Sequence, residues 1–204
     1  PVRTDLGREI RAAFVPADRR HNCLLTCDYS QIELRLLAHF CGDPELRRAF
    51  RDGLDIHAFV AAQVFGADVD LVTPEQRRVA KTVNFGVIYG QSAHGLAQTL
   101  GISRPEAQKF IDGYFQRYAG VKDFIAECIE KARTTGYATT ILGRRRPIPE
   151  LHSRAIAARK FGERTAVNTV VQGSAADLIK MAMINIHHRT RSGELPAEML
   201  IQVH

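Results

Sequence analysis

The chain has 204 residues, 45% of them apolar and 25% charged, which supports one sizeable core or two smaller lobes and excludes a disordered tail, a collagen-like fibre and a disulfide-stapled mini-protein. Lys and Arg number 28 against 22 Asp and Glu, a net charge of +6, and most of the cations are Arg, the side chain suited to forked phosphate contacts. This balance points to a nucleotide or nucleic-acid partner, although a GC-rich genome produces the same bias.

In chain order, residues 1–9 carry no apolar signal segment, and no run reaches the ~18 apolar residues of a membrane span, so no membrane partner is expected. Cys23–Asp28 is short and apolar and reads as a buried strand. Cys23, Cys27, Cys41 and Cys128 form no C-x-x-C pair and read as reduced thiols. Ser30-Gln31-Ile32-Glu33 fits a capping box opening a helix with Ile32, Leu36, Leu37 and Phe40 at helical spacing, stopped by Gly42-Asp43-Pro44. Two short helices follow over Glu45–Phe50 and Asp55–Phe65, broken at Gly53 and Gly66.

Thr73-Pro74-Glu75-Gln76 is a strong helix start, and the helix runs toward Gly90. Further helices are expected over Ser103–Tyr118 and Val121–Thr135. Gly136–Pro149 reads as a hairpin or extended arm with a basic tip at Arg144-Arg145-Arg146. A helix over Ser153–Val171 is expected to end at Gly173, and Ser174 to cap another reaching Arg191. Met199–His204 reads as a strand that stops in full stride; its ladder needs a partner, so the natural protein is expected to continue beyond His204. The whole reads as helices inserted between one early and one late strand.

Three features carry chemistry. Asp28 ends its strand just before a helix, where a carboxylate offers a hard oxygen to Mg2+ or simply caps the helix. At about 100° per residue, Arg77, Lys81, Phe85 and Tyr89 fall in one stripe about 120° wide. Val79, Ala80, Val83 and Val87 gather on another side. A face that is cationic first and aromatic later suits a nucleoside triphosphate, with phosphates at the cations and helix N-terminus and the sugar and base at the rings. It also suits a solvated face whose aromatics close a neighbouring groove. Arg164, Asn168 and Gln172 make a second row at i+4, fit either for minor-groove and sugar contacts or for a plain polar surface.

Together these residues resemble the polymerase module of the family A DNA polymerases. Asp28-Tyr29-Ser30-Gln31-Ile32-Glu33-Leu34-Arg35 is similar to that family's motif A. Arg77, Lys81, Phe85 and Tyr89-Gly90 are similar to motif B. Gln202-Val203-His204 is similar to the start of motif C, which in the family continues as Asp-Glu. Asp55-Ile56-His57 and Gln172-Gly173-Ser174-Ala175-Ala176-Asp177 also match, and the likeness covers essentially the whole chain.

The resemblance implies an α+β, predominantly helical fold: a right-hand polymerase palm with a partial antiparallel sheet and inserted helical fingers. Residues 1–31 would be palm carrying the motif A strand, 32–163 fingers, and 164–204 palm. The implied reaction is template-directed addition of a deoxynucleotide to a primer 3′-OH, with two Mg2+ ions and release of pyrophosphate. Asp28 and the Tyr29 carbonyl would hold metal. Arg77, Lys81 and His57 would take the triphosphate, Arg3 would reach its tail, and Lys81 would neutralise or protonate the leaving group.

Phe85 and Tyr89 would pack on sugar and base, with Gln31 lining the same site. Glu33 would crowd the sugar's 2′ position against ribonucleotides. Phe85 in place of Tyr implies poor use of dideoxynucleotides. Arg164, Asn168 and Gln172 would contact primer–template DNA, and His204 would lie beside the primer end. The implied setting is a monomer in the bacterial cytoplasm at the nucleoid, acting in replication and repair. With the motif C carboxylates absent after His204, the chain as given is expected to be inactive. The alternatives are a polymerase-like nucleic-acid binding module without catalysis, a single-subunit RNA polymerase, against which Glu33 and Phe85 speak, and a plain helical scaffold, against which the co-occurrence of the three motifs speaks.

Overall fold

The computed structural model describes residues 4–202, apart from the side chain of Gln63. Arg3 and His204, and with His204 the end of the expected late strand, lie outside the described residues. The chain divides into two compact units between Ser30 and Gln31.

In the first unit, α1 (Asp5–Ala12) starts where the Thr4 hydroxyl accepts from the Gly7 amide, with Asp5 in its first turn. Cys23–Asp28, the expected motif A strand, forms no strand, and Leu25 is 82% exposed. The reason is the missing ladder: a strand's amides and carbonyls need a partner, and the described residues pair nothing with this segment. The same holds for Met199–Gln202, which is exposed and not in a strand.

The second unit holds the core. Its helices are α2 (Ile32–Cys41), α3 (Pro44–Arg51), α4 (Ile56–Phe65), α5 (Pro74–Ile88), α6 (Ala93–Leu100), α7 (Arg104–Arg117), α8 (Ala119–Thr135) and α9 (Ile156–Arg191). Between α8 and α9 lies an antiparallel hairpin of β1 (Tyr137–Thr139) and β2 (Arg145–Pro147), in register Ala138 to Arg146. Most helix starts follow local chemistry. Asp43 caps α3 and Asp55 caps α4, each accepting from two amides of the first turn, while Thr73 and Ser103 form full capping boxes. The apolar stripes of α2, α4, α5, α7 and α8 meet in one core that includes Leu37, Val60, Val83, Tyr114 and Val121, with Phe40 stacked on Phe124 at 5.7 Å. All four cysteines are free. Among the described residues no helix is long and apolar enough to cross a membrane.

Two expected caps are not made. α2 begins after Gln31, which sits in the left-handed region at φ 55°, with no side-chain capping bond; Glu33 is engaged elsewhere. The chain does not break at Gly173, and α9 runs unbroken for 36 residues. Gly173 serves close approach: a Cβ there would lie 2.6 Å from Thr140 Cγ2. Ser174 is buried and caps no helix; its hydroxyl accepts from the Ile141 amide at 2.8 Å. Asp177, 2% exposed, accepts from the Thr140 hydroxyl and pairs with Arg144. α9 and the hairpin are thus stitched together at the base of the arginine tip.

Candidate functional site

The cation-to-aromatic stripe is real and lies on α5. Thr73 Oγ1 accepts from the Gln76 amide at 3.2 Å, and Gln76 Oε1 accepts from the Thr73 amide at 2.9 Å. Pro74 takes the first turn. Ala80, Val83, Val87 and Ile88 are buried, whereas Arg77 and Lys81 are exposed and Phe85 and Tyr89 half-buried. The Phe85 and Tyr89 rings stack, with centroids 6.1 Å apart and planes 19° from parallel.

α4 packs on α5 and brings His57 to the stripe. Its ring centroid lies 5.9 Å from that of Phe85. Asp55, capping α4, also accepts from Arg77 Nε at 2.8 Å. Burial alone would raise the Asp55 carboxyl, but Arg77 and the two capping amides outweigh it and hold it below its ordinary value. Lys81 has no hydrogen-bond or ion-pair partner among the described residues. His57 is 4% exposed. Burial pushes its imidazole down to about 4, with Arg77 and Lys81 adding to the shift and Asp55 opposing it.

This has a measurable consequence. A histidine depressed from 6.5 to about 4 binds its proton in the unfolded chain first. Its contribution to stability is therefore whole above pH 6.5 and is lost as pH falls toward 4. Chemical denaturation is expected to show up to about 3 kcal/mol lost across that window, with the slope flattened in His57→Gln. An unchanged slope in that variant refutes the assignment.

At the aromatic end of the stripe, Tyr89 Oη donates to the Glu33 carboxylate of α2. Burial and then Glu33 push the Tyr89 phenol up to about 12, against a smaller opposite pull from Gln172. Gly90, at φ +64°, passes so close to α9 that a Cβ would lie 2.8 Å from Arg164 Cγ. The α9 row thereby meets the α5 stripe. Asn168 and Gln172 also line an open cleft of about 270 Å3 together with Arg144, Arg145 and Arg146 of the hairpin tip. Asn168 Oδ1, and Gln31 Oε1 at the start of α2, are buried acceptors without a hydrogen-bond partner among the described residues.

The structure therefore brings together Glu33, His57, Arg77, Lys81, Phe85, Tyr89, Arg164, Asn168 and Gln172, all in the second unit, with Gln31 at the start of α2 two residues before Glu33. Asp28 and Tyr29 belong to the first unit and are exposed; Arg3 and His204 lie outside the described residues. Among the described residues no three His, Cys, Asp or Glu side chains converge to hold a metal. Sequence reasoning leaves out Asn84, fully buried, whose Nδ2 lies 3.1 Å from His57 Nδ1. The available signal was its position seven residues after Arg77, two turns along the same face.

The family model for DNA polymerase family A matches residues 1–204. The thermostable DNA polymerase I of Thermus filiformis is 52% identical over 204 residues, covering 100% of this chain and 24% of that protein. The DNA polymerase I of Bacillus caldotenax is 50% identical, covering 100% of this chain and 23% of that protein. A solved structure titled as the POL domain of Pol1 from M. smegmatis, in complex with DNA primer-template and dNTP, superposes with a TM-score of 0.92 at 46% identity. It covers 99% of this chain and 35% of its own. The chain thus spans about a quarter of the length of the curated relatives it matches.

Proposed function

This chain belongs to DNA polymerase family A, and from that membership we propose that it works in template-directed DNA synthesis, adding deoxynucleoside monophosphates to a primer 3′-OH with release of pyrophosphate. The observation that carries the reading is the α5 stripe: Arg77 paired with Asp55, and Lys81 without a partner among the described residues, at the helix's N-terminal half, then stacked Phe85 and Tyr89, with Glu33 bonded to Tyr89. A triphosphate needs cations and a positive helix end at one side, and its sugar and base need flat apolar surface one length further on.

In this reading Arg77 and His57 orient the triphosphate, Arg77 exchanging its contact with Asp55 as it arrives. Lys81 meets the charge that develops on the leaving pyrophosphate, as a neutralising cation or proton donor. Phe85 and Tyr89 pack on sugar and base beside Gln31, and Phe85 at its position disfavours dideoxynucleotides. Glu33, fixed by the Tyr89 hydroxyl, stands where a ribose 2′-OH would come, and an added hydroxyl without a partner is penalised. Arg164, Asn168 and Gln172, with the arginine tip across the cleft, hold the primer–template duplex. Arg3 reaches the phosphate tail and His204 the primer end. α5 closes over the nascent pair, a gating motion.

Family A DNA polymerases use divalent metal ions. Mg2+ is commonly held by one or two carboxylates plus substrate phosphates rather than by an all-protein cage. Asp28, exposed and a hard oxygen donor, fits that pattern, and we assign it and the Tyr29 carbonyl to the metal. When bound, the ions lower the pKa of the primer hydroxyl and neutralise the phosphates. Residues 1–31 and 164–204 are assigned to the palm and 32–163 to the fingers, in a cytoplasmic, nucleoid-associated monomer.

The test sets this chain in place of the matching segment of a full-length relative and follows primer extension in Mg2+ with dNTPs and rNTPs in parallel. Extension with dNTPs alone is expected, and Glu33→Ala should raise ribonucleotide use about tenfold to a hundredfold. Primer–template binding without extension would replace this reading with that of a non-catalytic binding module.

A further inference from the structure

Asn84 lies in the middle of α5 with no exposed surface. A buried amide is tolerated only where it makes a specific bond, and among the described residues this one makes a single side-chain hydrogen bond, from Nδ2 to Nδ1 of His57 at 3.1 Å. Its Oδ1 is buried without a hydrogen-bond partner among the described residues. An amide nitrogen donates and never accepts, so His57 Nδ1 must carry a lone pair and the ring proton must sit on Nε2.

The surroundings agree. The His57 amide is tied to Asp55, which is tied to Arg77, and the Phe85 ring stands against the imidazole. Among the described residues the hydrogen bond at Nδ1 is that of Asn84, which sets the tautomer of the ring. Burial and the cations Arg77 and Lys81 keep the ring neutral near pH 7.

We propose that Asn84 is a positioning residue, whose amide fixes the Nε2–H tautomer of His57 and so makes the ring an uncharged hydrogen-bond donor for a triphosphate oxygen beside Arg77 and Lys81. Phosphate oxygens only accept, so the other tautomer would turn a lone pair toward an anion. Holding the proton on Nε2 beforehand means that binding need not select it. The inference rests on the triphosphate assignment above for the ligand, while the tautomer itself rests on geometry alone.

The experiment reads the imidazole nitrogens of the 15N-labelled chain by NMR at pH 7, with His57 assigned through His57→Gln. Spectra are taken before and after addition of Mg·dATP. In the wild type, Nδ1 should be unprotonated and Nε2 protonated, and the Nε2 signal should move on addition of nucleotide. Asn84→Leu, which cannot donate, should give a tautomer mixture; Asn84→Asp, which accepts, should draw a proton onto Nδ1. In the segment-exchanged polymerase both variants should raise KM for dNTP about threefold to tenfold and leave kcat within about twofold.

A proton on Nδ1 in the wild type overturns the proposal, as does an unchanged KM in variants whose tautomer has moved. If the exchanged polymerase extends nothing at all, the polymerase reading fails. The Mg·dATP titration then decides the inference: a moving Nε2 signal supports it, and a stationary one overturns it. The wild-type spectra keep the test open even if a variant does not fold.

Discussion

Asp28→Ala, tested with this chain exchanged into a full-length relative, is expected to lower dNTP addition by about 10³-fold or more while leaving primer–template affinity within about threefold. The expectation combines placement with chemistry. Asp28 is exposed, so its loss opens no cavity and removes no core contact, and the fold should be unaffected. A metal clamp on a phosphoryl group supplies several kcal/mol of stabilisation in the transition state, and each factor of ten in rate corresponds to about 1.4 kcal/mol. Asp28→Asn separates charge from shape: it keeps the side chain's size and one oxygen but not the anion, and should be nearly as damaging. Rates close to wild type in saturating Mg2+ would remove Asp28 from the metal assignment.

Lys81→Ala is expected to lower kcat for dNTP addition by about 10² to 10³-fold, the range found when one well-placed donor to developing charge is removed. Arg77→Ala should act differently. Arg77 is already clamped to Asp55 at 2.8 Å, and in the proposed reading it orients the ground-state triphosphate, so its loss should appear mainly in KM. Lys81 is exposed and free of partners among the described residues, so its cation is available to charge that appears only as the leaving group departs. Lys81→Arg should recover part of kcat, since the charge is kept while the proton is far less easily given up. Single-turnover rates at saturating dNTP separate the two residues. Equal effects of Lys81→Ala and Arg77→Ala on kcat would refute the division of roles.

Whether a feature could be read from the sequence depended on how far away its cause lies. The start of α5 is fixed within four residues, by Thr73, Pro74 and Gln76, and the expected helix start is the one observed, closed by a capping box. The caps at Asp43 and Asp55 are equally local. Ser30 and Glu33 have the same spelling as a capping box and do not form one. Glu33 has a partner 56 residues away in Tyr89, and that competing bond is invisible at the helix start. From the sequence alone Gly173 reads as a breaker, because glycine weakens helices. Its actual role is set by Thr140, 33 residues earlier, which needs the space a side chain would fill. Cys23–Asp28 shows the converse: an apolar run can be strand-like in composition and still form no strand where no ladder partner is paired with it.

The sequence by itself determined the helical periods, most caps, the basic character, and the order of cation and aromatic along α5, because each follows from residues within a turn or two of one another. Only the tertiary structure decided which groups those residues would meet. It joined Arg77 to Asp55, Tyr89 to Glu33, the α9 row to Gly90 and the arginine tip, and His57 to Asn84. Side-chain hydrogen bonds and buried charge are decided by what lies within a few ångströms in space, and helix packing sets those distances between residues that sequence spacing leaves far apart.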